Sequence, residues 1–337
     1  MTSVVRTAVC LTIAAGLALA AAQEFVFVSD RVLRSLERID GSFYSQSDLF
    51  LYRNGSEIRL TFTADAAEYD PIPSPDGQFI AYAVTDLVHP VDDDADWQWR
   101  LEVIDLLLRR TQASWKMPNS EGITRPAGGF AIAWLEDGRS FLAQVPGEGS
   151  QWEVHRFSIG QPESEMVARG FGVVTSPDGA YVATARNGIT YAIDLAKGEE
   201  VVLAAGDPLG WNGNDTLLIA RTDAVTEVDV TSQRADLVAD YFGQYYGLRW
   251  NPARDLYAYI LEQNETWYVT IARADHQEVE TYSFTSFVET LDWLSDEHLV
   301  LSLERDGASA LALLDLFGND PIIVDSIGSD HSPRALR

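Results

Sequence analysis

An all-β fold built from repeated four-stranded sheets is what this sequence predicts, on three observations. A tight turn recurs along the chain at a spacing near ~40 residues, the period of a four-stranded propeller blade. Each turn is followed by short runs rich in β-branched and aromatic residues, and the two ends of the chain hold complementary parts of one more unit. Sheets repeated in this way close into a ring, a β-propeller, here of seven four-stranded blades.

The turn reads Ser-Pro-Asp-Gly at 74–77 and 176–179 and Leu-Glu-Asp-Gly at 135–138. It returns as Asn-Gly-Asn-Asp at 212–215, Asn-Pro-Ala-Arg at 251–254 and Leu-Ser-Asp-Glu at 294–297, and four of the six follow a tryptophan, Trp134, Trp211, Trp250 or Trp293. Asp, Asn and Gly tolerate the backbone of a tight hairpin, and a proline before Asp presets the corner. The turn aspartates Asp76, Asp137 and Asp178 are therefore expected to be structural. The tryptophans are expected to pack between blades.

Second strands are predicted at 79–84, 140–145, 181–186, 217–221, 256–261 and 299–303. Third strands follow at 101–106, 152–157, 189–195, 225–230, 267–271 and 311–316, four of them carrying an aspartate near the end (Asp105, Asp194, Asp229, Asp315). Fourth strands close the units, for example at 200–203, 236–238 and 321–324. Alternation is plain at 225–230, and no segment of comparable length sustains helical periodicity. Residues 331–336 resemble an opening strand whose partners lie at 25–28, 49–53 and 58–62, so the ring is expected to latch head to tail and hide its sheet edges. A six-bladed ring, with the unit around Trp211 a distorted insertion, is the alternative.

Arg6 followed by an apolar run at 8–22 that ends in three alanines has the layout of a secretory signal peptide, too short to span a membrane. Residues 23–337 then form a single domain, placed in the periplasm or outside the cell. Cys10 is the only cysteine and falls in the leader, which leaves no disulfide or thiolate metal site in the mature chain. A net charge of −27, without any run of Lys and Arg, argues against nucleic acid or anionic lipid as a partner.

The motifs at 48–55, 59–61 and 69–82, and again at 176–184, resemble the TolB-like propeller repeat, a WD40-like module. They share its strand ending in an Asn-Gly turn, its Leu-Thr, and its Ser-Pro-Asp-Gly before an apolar strand. The resemblance covers nearly the whole chain after the leader and implies the fold, whereas function varies widely on such folds. TolB carries an α/β domain before its propeller, and prolyl oligopeptidases carry an α/β-hydrolase domain. No Gly-x-Ser-x-Gly elbow follows the propeller here, so a propeller by itself is expected.

Candidate functional residues lie on the side of the ring that carries the connections between second and third strands and between successive blades. The long connections at 30–47, 85–98 and 118–129 fall there, and long loops in compact domains are often functional. Tyr241, Phe242, Tyr245, Tyr246, Phe284 and Phe287 are read as connection aromatics on that side, joined by Trp97 as candidates for gripping a protein or peptide. Plugging the channel mouth is their competing, structural role. Asp92, Asp94 and Asp96 alternate as a loose calcium loop would, but Trp97 and Val103 stand where an EF-hand-type loop has Gly and Glu, so a solvated acidic loop is the preferred reading. The five histidines, His89, His155, His276, His298 and His331, show no metal-ligand spacing. The leading expectation is a protein- or peptide-binding scaffold with no cofactor. A hydrolase or lyase acting on peptide or carbohydrate at the central channel is the alternative, and a calcium-stabilised structural module comes third.

Overall fold

The computed structural model describes residues 24–30, 35–37, 43–53, 55–63, 66–86, 99–118, 129–221, 224–239, 244–305, 308–316, 318, 322–324 and 330–336. Among them stand seven four-stranded antiparallel sheets and one two-stranded hairpin. Blade 1 runs, from the axis outward, Asp330–Ala335, Glu24–Ser29, Asp48–Arg53 and Ser56–Arg59. Blade 2 is Ala66–Pro73, Phe79–Asp86, Trp99–Asp105 and Arg110–Lys116; blade 3 is Ile132–Trp134, Ser140–Pro146, Trp152–Ser158 and Glu165–Arg169. Blade 4 is Phe171–Thr175, Tyr181–Arg186, Ile189–Asp194 and Glu200–Ala205; blade 5 is Asp207–Trp211, Thr216–Ala220, Val225–Asp229 and Ala235–Ala239. Blade 6 is Gln244–Trp250, Leu256–Gln263, Thr266–Arg273 and Glu278–Phe284, and blade 7 is Val288–Trp293, His298–Arg305, Ala308–Asp315 and Ile322–Val324. The unit around Trp211 is thus a full blade, which excludes the six-bladed alternative.

Second strands read as nearly unbroken apolar runs because both of their faces are covered. Side chains alternate across a strand, so at 25–28 Phe25 and Phe27 face blade 7 while Val26 and Val28 face blade 2. In blade 5, Leu217 and Ile219 face blade 4 and Leu218 faces blade 6. The apolar core is accordingly divided into clusters, one at each junction between neighbouring blades.

The recurring turns work as their composition predicts. Ser74 Oγ donates to Asp76 Oδ1 (2.6 Å) and accepts from Phe79 N, while Gly77 N donates to Ser74 O. Ser176, Asp178, Tyr181 and Gly179 repeat the arrangement. Asn251 stands in for the serine in blade 6, its Oδ1 accepting from Asp255 N and Leu256 N. The tryptophans join blades: Trp134 Nε1 donates to Ile72 O, Trp211 Nε1 to Val174 O and Trp293 Nε1 to Arg249 O, each reaching the innermost strand of the preceding blade. Asp105, Asp194 and Asp229 accept from backbone N–H groups in the turns after the third strands.

Head and tail pair as expected, with Phe25 opposite Ala335 and Val26 opposite Arg334. Three elements differ from the sequence reading. The strand expected at 58–62 ends at Arg59 and leaves Phe62 72 % exposed. Within the connection at 30–47 a short hairpin forms, with Leu36 opposite Tyr44. Tyr245 and Tyr246 belong to the innermost strand of blade 6 rather than to a connection, and Phe284 ends the outermost strand.

Candidate functional site

The ring has two ends. One carries the Asp-Gly-type turns and the turns between third and fourth strands. The other, here the crown face, carries the connections from second to third strand and from blade to blade. The long connections at 30–47, 87–98 and 118–129 all join strands of blades 1 to 3 on the crown face. Asp92, Asp94, Asp96, Trp97, Tyr241 and Phe242 lie outside the described residues, as do the side chains of Tyr245 and Tyr246.

The described crown-face residues contain a repeated aromatic pair. A tryptophan at the head of a third strand meets a phenylalanine at the head of the next blade's innermost strand. Trp99 meets Phe130 (ring centroids 4.7 Å apart), Trp152 meets Phe171 (6.1 Å, 74° between planes), and Trp267 meets Phe287 (4.7 Å, 85°). The first pair is tilted, with 57° between planes, and the other two are edge-to-face, a geometry that the ring quadrupoles favour and that holds the smaller ring in place. The first two pairs also form a continuous run, since Tyr69 touches Trp99 and Phe130 touches Trp152. Phe130 is fully buried, whereas Phe171 is 40 % and Phe287 43 % exposed. Phe284, opposite Trp267 across the strand pair, is half-buried against the cluster between blades 6 and 7. Two of the predicted aromatics, Phe284 and Phe287, therefore gather on Trp267.

Sequence reading missed Trp99, Trp152 and Phe171 as members of this face. The available signal was positional: each tryptophan stands in the first or second place of a third strand, immediately after a crown connection. Such residues scan as ordinary strand aromatics unless the blades are superposed.

Beside blade 1 the same face closes over a buried polar cluster. Arg59 donates to Asp48 Oδ2 (2.5 Å), Leu49 N donates to Thr61 Oγ1 (2.8 Å), Ser47 Oγ donates to Glu68 O (2.8 Å), and Thr63 Oγ1 donates to Glu68 Oε1. Burial raises the pKa of Asp48 despite Arg59, and burial, with smaller contributions from Asp48 and Glu102, pushes Glu68 up to about 8. Among the described residues nothing donates to Glu68 Oε2. Both carboxyl groups are buried. No group of three or more His, Cys, Asp and Glu able to hold a metal occurs among the described residues, and no helix among them is long and apolar enough to cross a membrane.

No protein-family model matches the chain, and no curated protein matches it in sequence. Solved structures do match. A prolyl endopeptidase is similar at TM-score 0.60 and 16 % identity, over 89 % of this chain and 48 % of the other. Prolyl oligopeptidase B from Galerina marginata is similar at TM-score 0.59 and 14 % identity, over 95 % and 53 %. TolB from Acinetobacter baumannii is similar at TM-score 0.51 and 13 % identity, over 94 % and 67 %. The chain thus spans about half the length of the two prolyl peptidases. The likeness is one of fold: this chain is a seven-bladed β-propeller, similar in fold to TolB and to the two prolyl peptidases.

Proposed function

We propose that the chain is an exported scaffold that binds a protein or peptide on its crown face, in the periplasm or outside the cell. One observation carries this reading. Phe171 and Phe287 stand about half exposed on the face with the long connections, each fixed edge-on by a tryptophan of the preceding blade. Rings held in this way lose little conformational entropy on binding, which is what makes rigid aromatics good interface anchors. Tyr241, Phe242, Tyr245, Tyr246 and Trp97 extend the same surface in this proposal, and Asp92, Asp94 and Asp96 supply either an acidic rim or a weak calcium loop.

The test is capture of partners from a cell-envelope extract by the immobilised chain. Replacing Phe171 and Phe287 with Ala should reduce recovery of any specific partner at least ~10-fold, the effect of losing about 1.4 kcal/mol. Deleting residues 87–98 together with Tyr241, Phe242, Tyr245 and Tyr246 to Ala should abolish recovery. Undiminished capture by both variants would place recognition elsewhere.

A further inference from the structure

Each of the three histidines whose side chains are described has a hydroxyl at Nδ1 and a carboxylate near Nε2. His155 has Ser164 Oγ at 2.9 Å and Glu153 Oε2 at 3.0 Å. His276 has the Tyr257 hydroxyl at 3.0 Å and Glu227 Oε2 at 3.4 Å, and His298 has Ser295 Oγ at 2.8 Å and Asp315 Oδ2 at 3.9 Å.

Two of these arrangements are structural. Tyr257 is 4 % exposed within the core between blades 5 and 6, so no reactant reaches its oxygen. The Asp315 carboxylate is beyond hydrogen-bond distance of His298. Ser295 lies three residues from His298 and also accepts from Glu297 N, as a turn residue does.

The third is different. Glu153 and His155 sit two residues apart on Trp152–Ser158 and so share a face of the sheet. Ser164 reaches them from the far side of the following turn, just before Glu165–Arg169. An ionised carboxylate only accepts hydrogen bonds, so the ring proton sits on Nε2. Nδ1 then presents a lone pair, to which the Ser164 hydroxyl donates. Nucleophile, base and orienting carboxylate are thereby connected within hydrogen-bond distance. His155 is buried and lies against the Phe157 ring, with centroids 6.3 Å apart, and Arg169 Nε is 4.0 Å from Glu153 Oε1. The base and its carboxylate are held in place while Ser164 is only half-buried.

We propose that Ser164 is a nucleophile on the side of blade 3, with His155 as its general base and Glu153 as a positioning residue, and that it hydrolyses small activated esters. Ser164 Oγ bonds to the carbonyl carbon as its proton passes to His155 Nδ1. The ester C–O bond then breaks, and the leaving oxygen takes that proton and departs as the alcohol. Water attacks the acyl carbon, yields a proton to Nδ1 and displaces Oγ, which recovers it, so that ester and water become acid and alcohol. The exposed carboxylates of Glu163 and Glu165 flank the serine and repel anions, so the acyl donors it takes are neutral or cationic.

The full chain should be incubated with a neutral alkyl fluorophosphonate, which bonds to a reactive serine oxygen with loss of fluoride, and the adduct mapped by peptide mass spectrometry. A parallel assay would follow hydrolysis of 4-nitrophenyl acetate. The expected result is a single adduct on Ser164 and ester turnover lost in Ser164→Ala, a half-buried site whose change leaves the core intact. His155→Gln should slow labelling about 100-fold or more. Glu153→Gln should slow it less, and Glu153→Asp should recover part of the loss, which a role confined to packing would not produce. Failure to label Ser164, equal ester turnover in Ser164→Ala, or unchanged labelling in a folded His155→Gln would each overturn the proposal. None of these results bears on the crown face, whose test reads partner capture.

Discussion

The residue whose chemistry is most out of balance with its surroundings is Glu68. Its side chain has no exposure, one oxygen takes the Thr63 hydroxyl and the other is without a donor among the described residues. Burial favours the neutral acid, and the negative Asp48 and Glu102 add to that preference, giving a pKa of about 8. The folded state thus holds its proton more tightly than the unfolded chain, where a glutamate releases it near ~4.3. This stabilisation is complete below the unfolded pKa, shrinks as pH rises through the interval, and is gone above about 8. It amounts to at most a few kcal/mol, on the order of 1.4 per pKa unit. Glu68→Gln should therefore melt several degrees above the native chain at pH 8.5, with the gap narrowing steadily toward pH 5. A calorimetric series across that range checks it, and a constant gap would mean that Glu68 is already ionised in the folded protein at pH 5, as it is in the unfolded chain. The turn aspartates behave in the opposite way. The Ser176 hydroxyl and the Ala180 N–H hold Asp178 below the usual carboxylate range, so its contribution is present above the unfolded pKa and is lost as pH falls through the folded one.

At the scale of the element, legibility followed locality. The Ser-Pro-Asp-Gly turns could be read because every hydrogen bond that closes them lies within six residues of sequence. The second strands could be read because burial on both faces removes polar residues from them. The aromatic pairs of the crown face could not, since Trp152 and Phe171 are joined only after a blade is complete and the next one docks. The tryptophans fall between these cases: their place before the turn suggested packing, but their N–H bonds to the preceding blade needed the fold. Those bonds give a second prediction. Trp134→Phe or Trp293→Phe keeps most of the apolar contact but leaves the carbonyl of Ile72 or Arg249 without this donor. Each should cost roughly 1–3 kcal/mol. Thermal unfolding should show both variants folded with lowered midpoints. A midpoint equal to the native one would assign the tryptophans' whole contribution to ring packing.

For the whole molecule, the decisive joint is where the chain's tail becomes the innermost strand of blade 1. Asp330–Ala335 pairs with Glu24–Ser29, Leu336 N donates to Glu24 O (3.0 Å), and Asp292 of blade 7 accepts from Ala335 N through Oδ2 (2.9 Å). The tail strand is therefore held by the sheet it completes and by the blade that precedes it. Without it, the edge of Glu24–Ser29 loses its partners and the buried side chains at 25–28 lose part of their cover. Fully burying one such side chain contributes roughly 1.5–3 kcal/mol, so losing half of that at four positions costs roughly 3–6 kcal/mol. Typical domains are stable by only about 5–15 kcal/mol, and an open edge also invites association with other chains. A chain ending at residue 329 should therefore be poorly folded and prone to aggregate. A synthetic peptide of residues 330–336 added during refolding should restore a soluble monomer, whereas the same residues in scrambled order should not. Asp292→Ala should give an intermediate, closed but less stable ring. A truncated chain that melts like the full one would show that the blades hold their radial arrangement without closure.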